Sequence, residues 1–217
     1  MARPLPSSMV TTFSPPSVVC ADVGSTKNGE KGNFGWWSSD NTSGTLPSTL
    51  AAYVAELLNL GTRVALGFEC PLFVPLVDDE LLLTNARPGE GARAWSAGAG
   101  CGALTTGLVQ VAWVLRSVHQ LTHPPRAVFL DWTEFSSADS GLLLWEAFVS
   151  GSAKQESHID DARVGAQAFL RALPNPTSAN AVVCKSEVYS LVGAALLRTA
   201  WRTDAAILQE PCLVLRA

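Results

Sequence analysis

The chain has 217 residues, 47% of them hydrophobic and 16% charged, with a formal charge of −4 and a pI near 5.3. That length and apolar content suit one domain with a sizeable core and exclude wholesale disorder. The acidic balance excludes a global positive field for nucleic acid, so a local basic loop or a metal ion would have to serve instead.

Residues 1–16 hold four prolines, one arginine and no apolar segment of the signal-peptide kind, which predicts a poorly ordered tail before a domain over 17–217. Val18 to Val23 is a short continuous apolar run, as in a central strand covered on both faces. It ends at Asp22 and turns through Gly24, Ser25 and Thr26. A carboxylate fixed there is well placed to hold a metal ion or to border a phosphate. Residues 26–32 have hairpin-turn composition, and Phe34 to Ser38 is the expected returning strand. After a polar turn over 39–45, a helix is expected from Leu46, with Pro47 in its first turn and apolar residues at 50, 54, 57 and 58, closed by Gly61.

Arg63 to Phe68 predicts a second buried strand, which Pro71 stops just after Glu69, leaving that carboxylate at a strand end. Residues 72–104 form the least regular stretch, rich in Gly, Ala and Arg and including Arg87 and Arg93; a connection this long is more often functional than idle. A helix is expected over Thr105–Leu121, a strand over Arg126–Leu130 ending at Asp131, and a short helix over Leu142–Val149. His158 to Leu173 is a helix with an apolar stripe at 159, 162, 166, 169, 170 and 173. On it Asp161 shares a small-residue stripe with Gly165, Ala168 and Ala172, whereas Asp160 falls beside Arg163 on the polar side. Of the two aspartates, Asp161 is the one expected to point inward. A helix over 186–201 and a strand or extended tail over 205–215 complete the chain.

An initial hairpin followed by strand–helix alternation predicts an α/β fold, a mixed sheet flanked by helices. In such sheets sites gather beyond the C-terminal ends of parallel strands, where Asp22, Glu69 and Asp131 all fall. Asp131 and Glu134 are better explained as caps of a following helix. The five cysteines, at 20, 70, 101, 184 and 212, form no C-x-x-C pair and fit free thiols of a cytoplasmic protein better than a disulfide or zinc framework. No apolar run reads as uninterrupted enough to span a membrane. The three histidines lack metal-ligand spacing; His158, beside the paired aspartates, is a candidate proton shuttle as well as an ordinary helix-start residue.

Five short motifs then point to a family: Asp22-Val-Gly24, the tryptophan at 36 or 37, Glu69-Cys-Pro71, the Arg-containing glycine loop from Arg87 to Gly102, and Asp160-Asp161-Ala162. Together they resemble the ribonuclease-H-like superfamily, and within it the predicted nucleases known as domain of unknown function four-twenty-nine. The match spans about residues 18–172. The chain departs from it by carrying Glu69 where relatives usually have Asp, and Val164 and Gly165 where a further helix Asp is common. The resemblance implies a ribonuclease-H-like single domain and a metal-dependent nuclease or phosphodiesterase. Asp22, Glu69 and Asp161 would be catalytic, and Asp22, Glu69, Asp160 and Asp161 would hold one or two Mg²⁺ or Mn²⁺ ions. Gly24, Ser25, Arg87 and Arg93 would grip the substrate, a nucleic acid or a phosphate-containing small molecule. Two alternatives stand beside it. Asp22-Val-Gly-Ser-Thr26 also resembles the first phosphate loop of actin-like sugar kinases and ATPases, although the chain is too short for their two domains. The third reading is a degenerate scaffold that keeps the fold and binds a protein partner.

Overall fold

A computed structural model describes residues 14–91 and 94–217. Of the tail expected over 1–16, residues 1–13 therefore lie outside the described residues. β1 (Ser17–Asp22), β2 (Gly35–Ser38) and β3 (Ser43–Gly44) form an antiparallel meander that leads into α1 (Pro47–Asn59). β4 (Arg63–Phe68) returns parallel to β1. β5 (Phe73–Leu76) leaves the sheet, and α2 (Gly98–Leu121) leads to the short β6 (Val128–Phe129) and α3 (Trp132–Ser137). β7 (Gly141–Phe148) pairs parallel with β4, followed by α4 (His158–Ala172). β8 (Glu187–Ser190), α5 (Leu191–Arg198) and β9 (Val214–Arg216) end the chain. The main sheet runs β3-β2-β1-β4-β7, and the outer edge of β7 is shared by β6 at its start and β9 at its end. The result is a mixed seven-stranded sheet with helices on both faces.

Strand parity decides which residue meets which layer, because successive side chains point to opposite faces. Val19 and Ala21 of β1, Val64, Leu66 and Phe68 of β4, and Leu142 and Leu144 of β7 pack in one core with α1, α2 and α5. Val18 and Cys20, Ala65, and Leu143, Trp145 and Ala147 pack in the other core with α3 and α4.

Three expectations are corrected. Leu142–Val149 is a strand, not a helix: β7 is buried on both faces, and a short apolar run has no periodicity to separate the two. Residues 186–201 are not one helix, since Glu187 to Ser190 alternate exposed and buried and pair with β5 before α5 begins. The stretch 72–104 is not one irregular loop; it contains β5, a 3-10 turn at Glu80–Leu82, and the start of α2 at Gly98 rather than Thr105. Glycines at 98, 100 and 102 argue against helix by propensity, which tertiary context overrides here. The expectation about membrane-spanning runs needs qualifying as well. By length and composition, α2 is apolar enough to cross a bilayer. Its later turns nevertheless bury Val111, Val114, Leu115 and Val118 in the core. All five cysteines are unpaired, with Cys20, Cys70 and Cys212 buried.

Candidate metal centre

Parity places Asp22 with Val18 and Cys20, and Glu69 with Ala65, on the α4 side of the sheet. The two ends are neighbours: the Glu69 amide donates to the Ala21 carbonyl at 2.8 Å, continuing the β1–β4 ladder by one bond. Above them α4 comes very close, because the sequence removes side chains where it crosses. A Cβ on Gly35 would lie 2.5 Å from the backbone of His158 and Ile159, and one on Gly165 would lie 3.0 Å from the Cys20 sulfur. Ser157 caps the helix, its Oγ accepting from the Asp160 amide at 3.1 Å. This fixes the first turn so that Asp161 is turned inward and 4% exposed, as its small-residue stripe predicts.

The three carboxylates converge on one ammonium. Lys154 Nζ lies 2.6 Å from Glu69 Oε1, 2.9 Å from Asp161 Oδ2 and 3.9 Å from Asp22 Oδ2. The second oxygen of Asp161 accepts from the Gln155 amide at 2.7 Å. His158 Nδ1 stands 2.5 Å from Asp22 Oδ2, within hydrogen-bond reach. Glu69 Oε2 is buried and has no hydrogen-bond partner among the described residues. One ligand atom each from Asp22, His158 and Asp161 lies within 4.8 Å of the others, so this group could hold a metal ion.

The electrostatics follow from crowding. Burial, opposed by Lys154 and His158, raises the Asp22 carboxyl above its ordinary range. Burial and the neighbouring Asp22 charge push Glu69 up to about 9, with Lys154 pulling it back. Burial alone would lower Lys154, but Glu69 and Asp22 outweigh it and hold the ammonium firmly charged. One lysine does not neutralise three carboxylates, and the strain shows as Glu69 resisting ionisation.

The centre opens into a cleft of about 270 Å³, walled by Val23, Cys70, Trp95 and Phe148 among others. A second charged cluster lines the same cleft from the opposite face of the sheet. Arg87, 2% exposed, donates to both oxygens of Glu146 at 2.9 and 2.5 Å, to Glu90 Oε1 at 2.9 Å and to the Phe73 carbonyl at 3.0 Å. Glu146 also accepts from the Leu72 amide at 2.9 Å.

The residues singled out from sequence therefore separate. Asp22, Glu69 and Asp161 come together. Asp160 does not: it faces solvent, held by Ser157 and by Arg163 at 2.8 Å. Arg87 is committed to two buried glutamates, not presented to a substrate, and Arg93 lies outside the described residues. The amide of Gly24 donates to Gln110 Oε1 at 3.3 Å, and its carbonyl accepts from the same side chain. A Cβ on Gly24 would strike the Asn33 carbonyl. That glycine therefore closes a turn against α2, and Ser25 beside it is exposed. Asp131 caps α3, accepting from the Glu134 amide at 2.9 Å.

Sequence reasoning missed Lys154, Glu90 and Glu146. A lysine in a Gly-Ser-Ala-Lys loop carries no local signal, but a lone glutamate inside Leu-Leu-Leu-Trp-Glu-Ala-Phe does, since a buried carboxylate demands a partner. Comparison with protein-family models, curated proteins and solved structures gives no match.

Proposed function

We propose that the protein is a divalent-cation-dependent phosphodiesterase or nuclease of ribonuclease-H-like fold. The observation that carries the reading is the convergence of Asp22, Glu69 and Asp161 on one point beyond the ends of two adjacent parallel strands, with Asp22 and Glu69 lining a cleft. The donor set fits a hard cation such as Mg²⁺ or Mn²⁺: carboxylate oxygens predominate, one of them buried without a partner. Asp22 and Asp161, grouped with His158 within 4.8 Å, would hold the ion, with Glu69 beside them. When bound, such an ion supplies charge stabilisation at a phosphoryl oxygen and a water of lowered pKa. The chain's own residues do the rest. The apolar wall of Val23, Cys70, Trp95 and Phe148 limits water around the scissile group. His158, with its side chain 41% exposed, lines the cleft beside Asp22 and is placed to pass a proton to a leaving oxygen. A cleft of about 270 Å³ suits a small phosphodiester or a single nucleotide at a strand end, not the side of a duplex.

A second reading, a non-catalytic scaffold, has one observation in its favour: an ammonium already stands among the carboxylates. Thermal unfolding with Mn²⁺ and Mg²⁺, on wild type and Asp22→Asn, decides between the two. A cation at about 100 times its dissociation constant that binds only the folded chain adds roughly 2.7 kcal/mol. The metal-centre reading expects a saturable rise in melting temperature for wild type that Asp22→Asn abolishes. It also expects metal-dependent hydrolysis of bis(p-nitrophenyl) phosphate. Flat titrations for both proteins would leave the scaffold.

A further inference from the structure

The side chain of Lys154 meets three carboxylates at once, at 2.6, 2.9 and 3.9 Å, which is the position a shared cation takes. Yet it is not built in as a permanent part of the core. The side chain is 40% exposed, and the residue sits between a 3-10 turn (Gly151–Ala153) and the cap of α4. The following amide, of Gln155, is bonded to Asp161 Oδ1 at 2.7 Å, so the loop stays anchored whether or not the ammonium remains. A flexible four-carbon stem lets the head group leave alone. Arg87, which is buried, behaves in the opposite way: it is fixed by Glu146, Glu90 and the Phe73 carbonyl and has nowhere to go. The geometry also leaves room for a stronger occupant, since Glu69 Oε2 is buried with no hydrogen-bond partner among the described residues.

We infer that Lys154 is a displaceable resident cation, whose ammonium holds the carboxylates together until a divalent ion takes its place and the side chain swings into the cleft mouth. This rests on the metal-centre reading and adds to it a competition: Lys154 sets the concentration of metal at which the centre fills. Once released, the ammonium stands beside the cleft, where an anionic substrate would meet it.

The test uses the full chain and Mn²⁺ alone. Calorimetric titration of wild type and Lys154→Met should show about tenfold tighter Mn²⁺ binding to the variant, with Lys154→Arg no tighter than wild type. In wild type, acylation of lysine amines followed by mass spectrometry should show Lys154 protected without metal and labelled at saturating Mn²⁺. The exposed Lys27 and Lys31 serve as internal references that do not change. Equal or weaker binding by Lys154→Met, or no gain in Lys154 labelling while Mn²⁺ is bound, overturns the inference and leaves the metal centre standing. No Mn²⁺ binding by either protein overturns both. If Lys154→Met does not fold, the labelling experiment on wild type decides.

Discussion

Arg87→Met separates a structural role for this arginine from the substrate-gripping role its glycine-rich loop implies. In the structure its guanidinium makes two bonds to Glu146 and one to Glu90, and lies 4.8 Å over the Phe73 ring. Glu146 and Glu90 are only 1% and 3% exposed. Removing the cation therefore strands two buried carboxylates, and breaking a buried pair from one side costs about 3–5 kcal/mol. For a domain of this size each kcal/mol moves the melting temperature by about 2–4 °C, so a fall of roughly 6–20 °C is expected. Urea unfolding followed by tryptophan fluorescence gives the free energy directly. The pH dependence supplies a second check. Burial raises Glu146 even with Arg87 present to pull it down. Without the arginine the folded chain holds a proton on Glu146 that the unfolded chain releases, so the deficit should shrink as pH falls toward about 5. Adding Glu146→Gln should recover part of the loss. A single variant within about 1 kcal/mol of wild type would refute the clamp and return Arg87 to the list of substrate contacts.

Two further outcomes follow from the same geometry. Glu69, pushed up to about 9, keeps its proton in the folded chain while the unfolded chain loses it near the ordinary 4.5; its contribution is present below that value and is lost as pH rises toward 9. The stability difference between Glu69→Gln and wild type, measured in chelator, should therefore grow in favour of the variant between about pH 5 and 9, and a flat difference would contradict the crowding of the centre. Gly35→Ala puts a Cβ 2.5 Å from the backbone of His158 and Ile159, so α4 or β2 must shift, and the shift is expected in α4. A cost of about 1–3 kcal/mol is expected, together with loss of the His158–Asp22 contact as seen in the imidazole resonances of an NMR titration. Unchanged resonances would show that β2 yields instead.

The elements legible in the sequence were those with a period or a punctuation mark. β1, the hairpin, α1 closed by Gly61, β4 and α4 all announced themselves, and with them Asp22, Glu69 and the choice of Asp161 over Asp160. The small-residue stripe of Gly165 and Ala168 carried that last step, because close packing needs small residues whatever the fold. β7 was not legible, since a strand covered on both faces has the same apolar run as a buried helix. Its misreading hid Glu146 and so hid the reason for Arg87. Lys154 was illegible for a different reason: its partners come from β1, β4 and α4, and its own loop says nothing of them.

The difference between the two charged clusters bears most directly on function. Phe68 pairs with Glu146 across β4 and β7, and Glu69 follows immediately, so the two glutamates are near neighbours that parity sends to opposite faces. Both clusters reach the same cleft because it lies beyond the strand ends, where either face is accessible. One is complete: the guanidinium fork matches its carboxylates, a backbone amide and a carbonyl join in, and every bond is buried. The other is unfinished, with a lysine head 40% exposed, a glutamate oxygen that has no partner among the described residues and a histidine half in solvent. A cluster that only held the fold together would be expected to resemble the first. Exchangeable ligands bind where bonds remain to be made, and that is why the proposed cation site is the face of Asp22, Glu69 and Asp161 rather than that of Arg87.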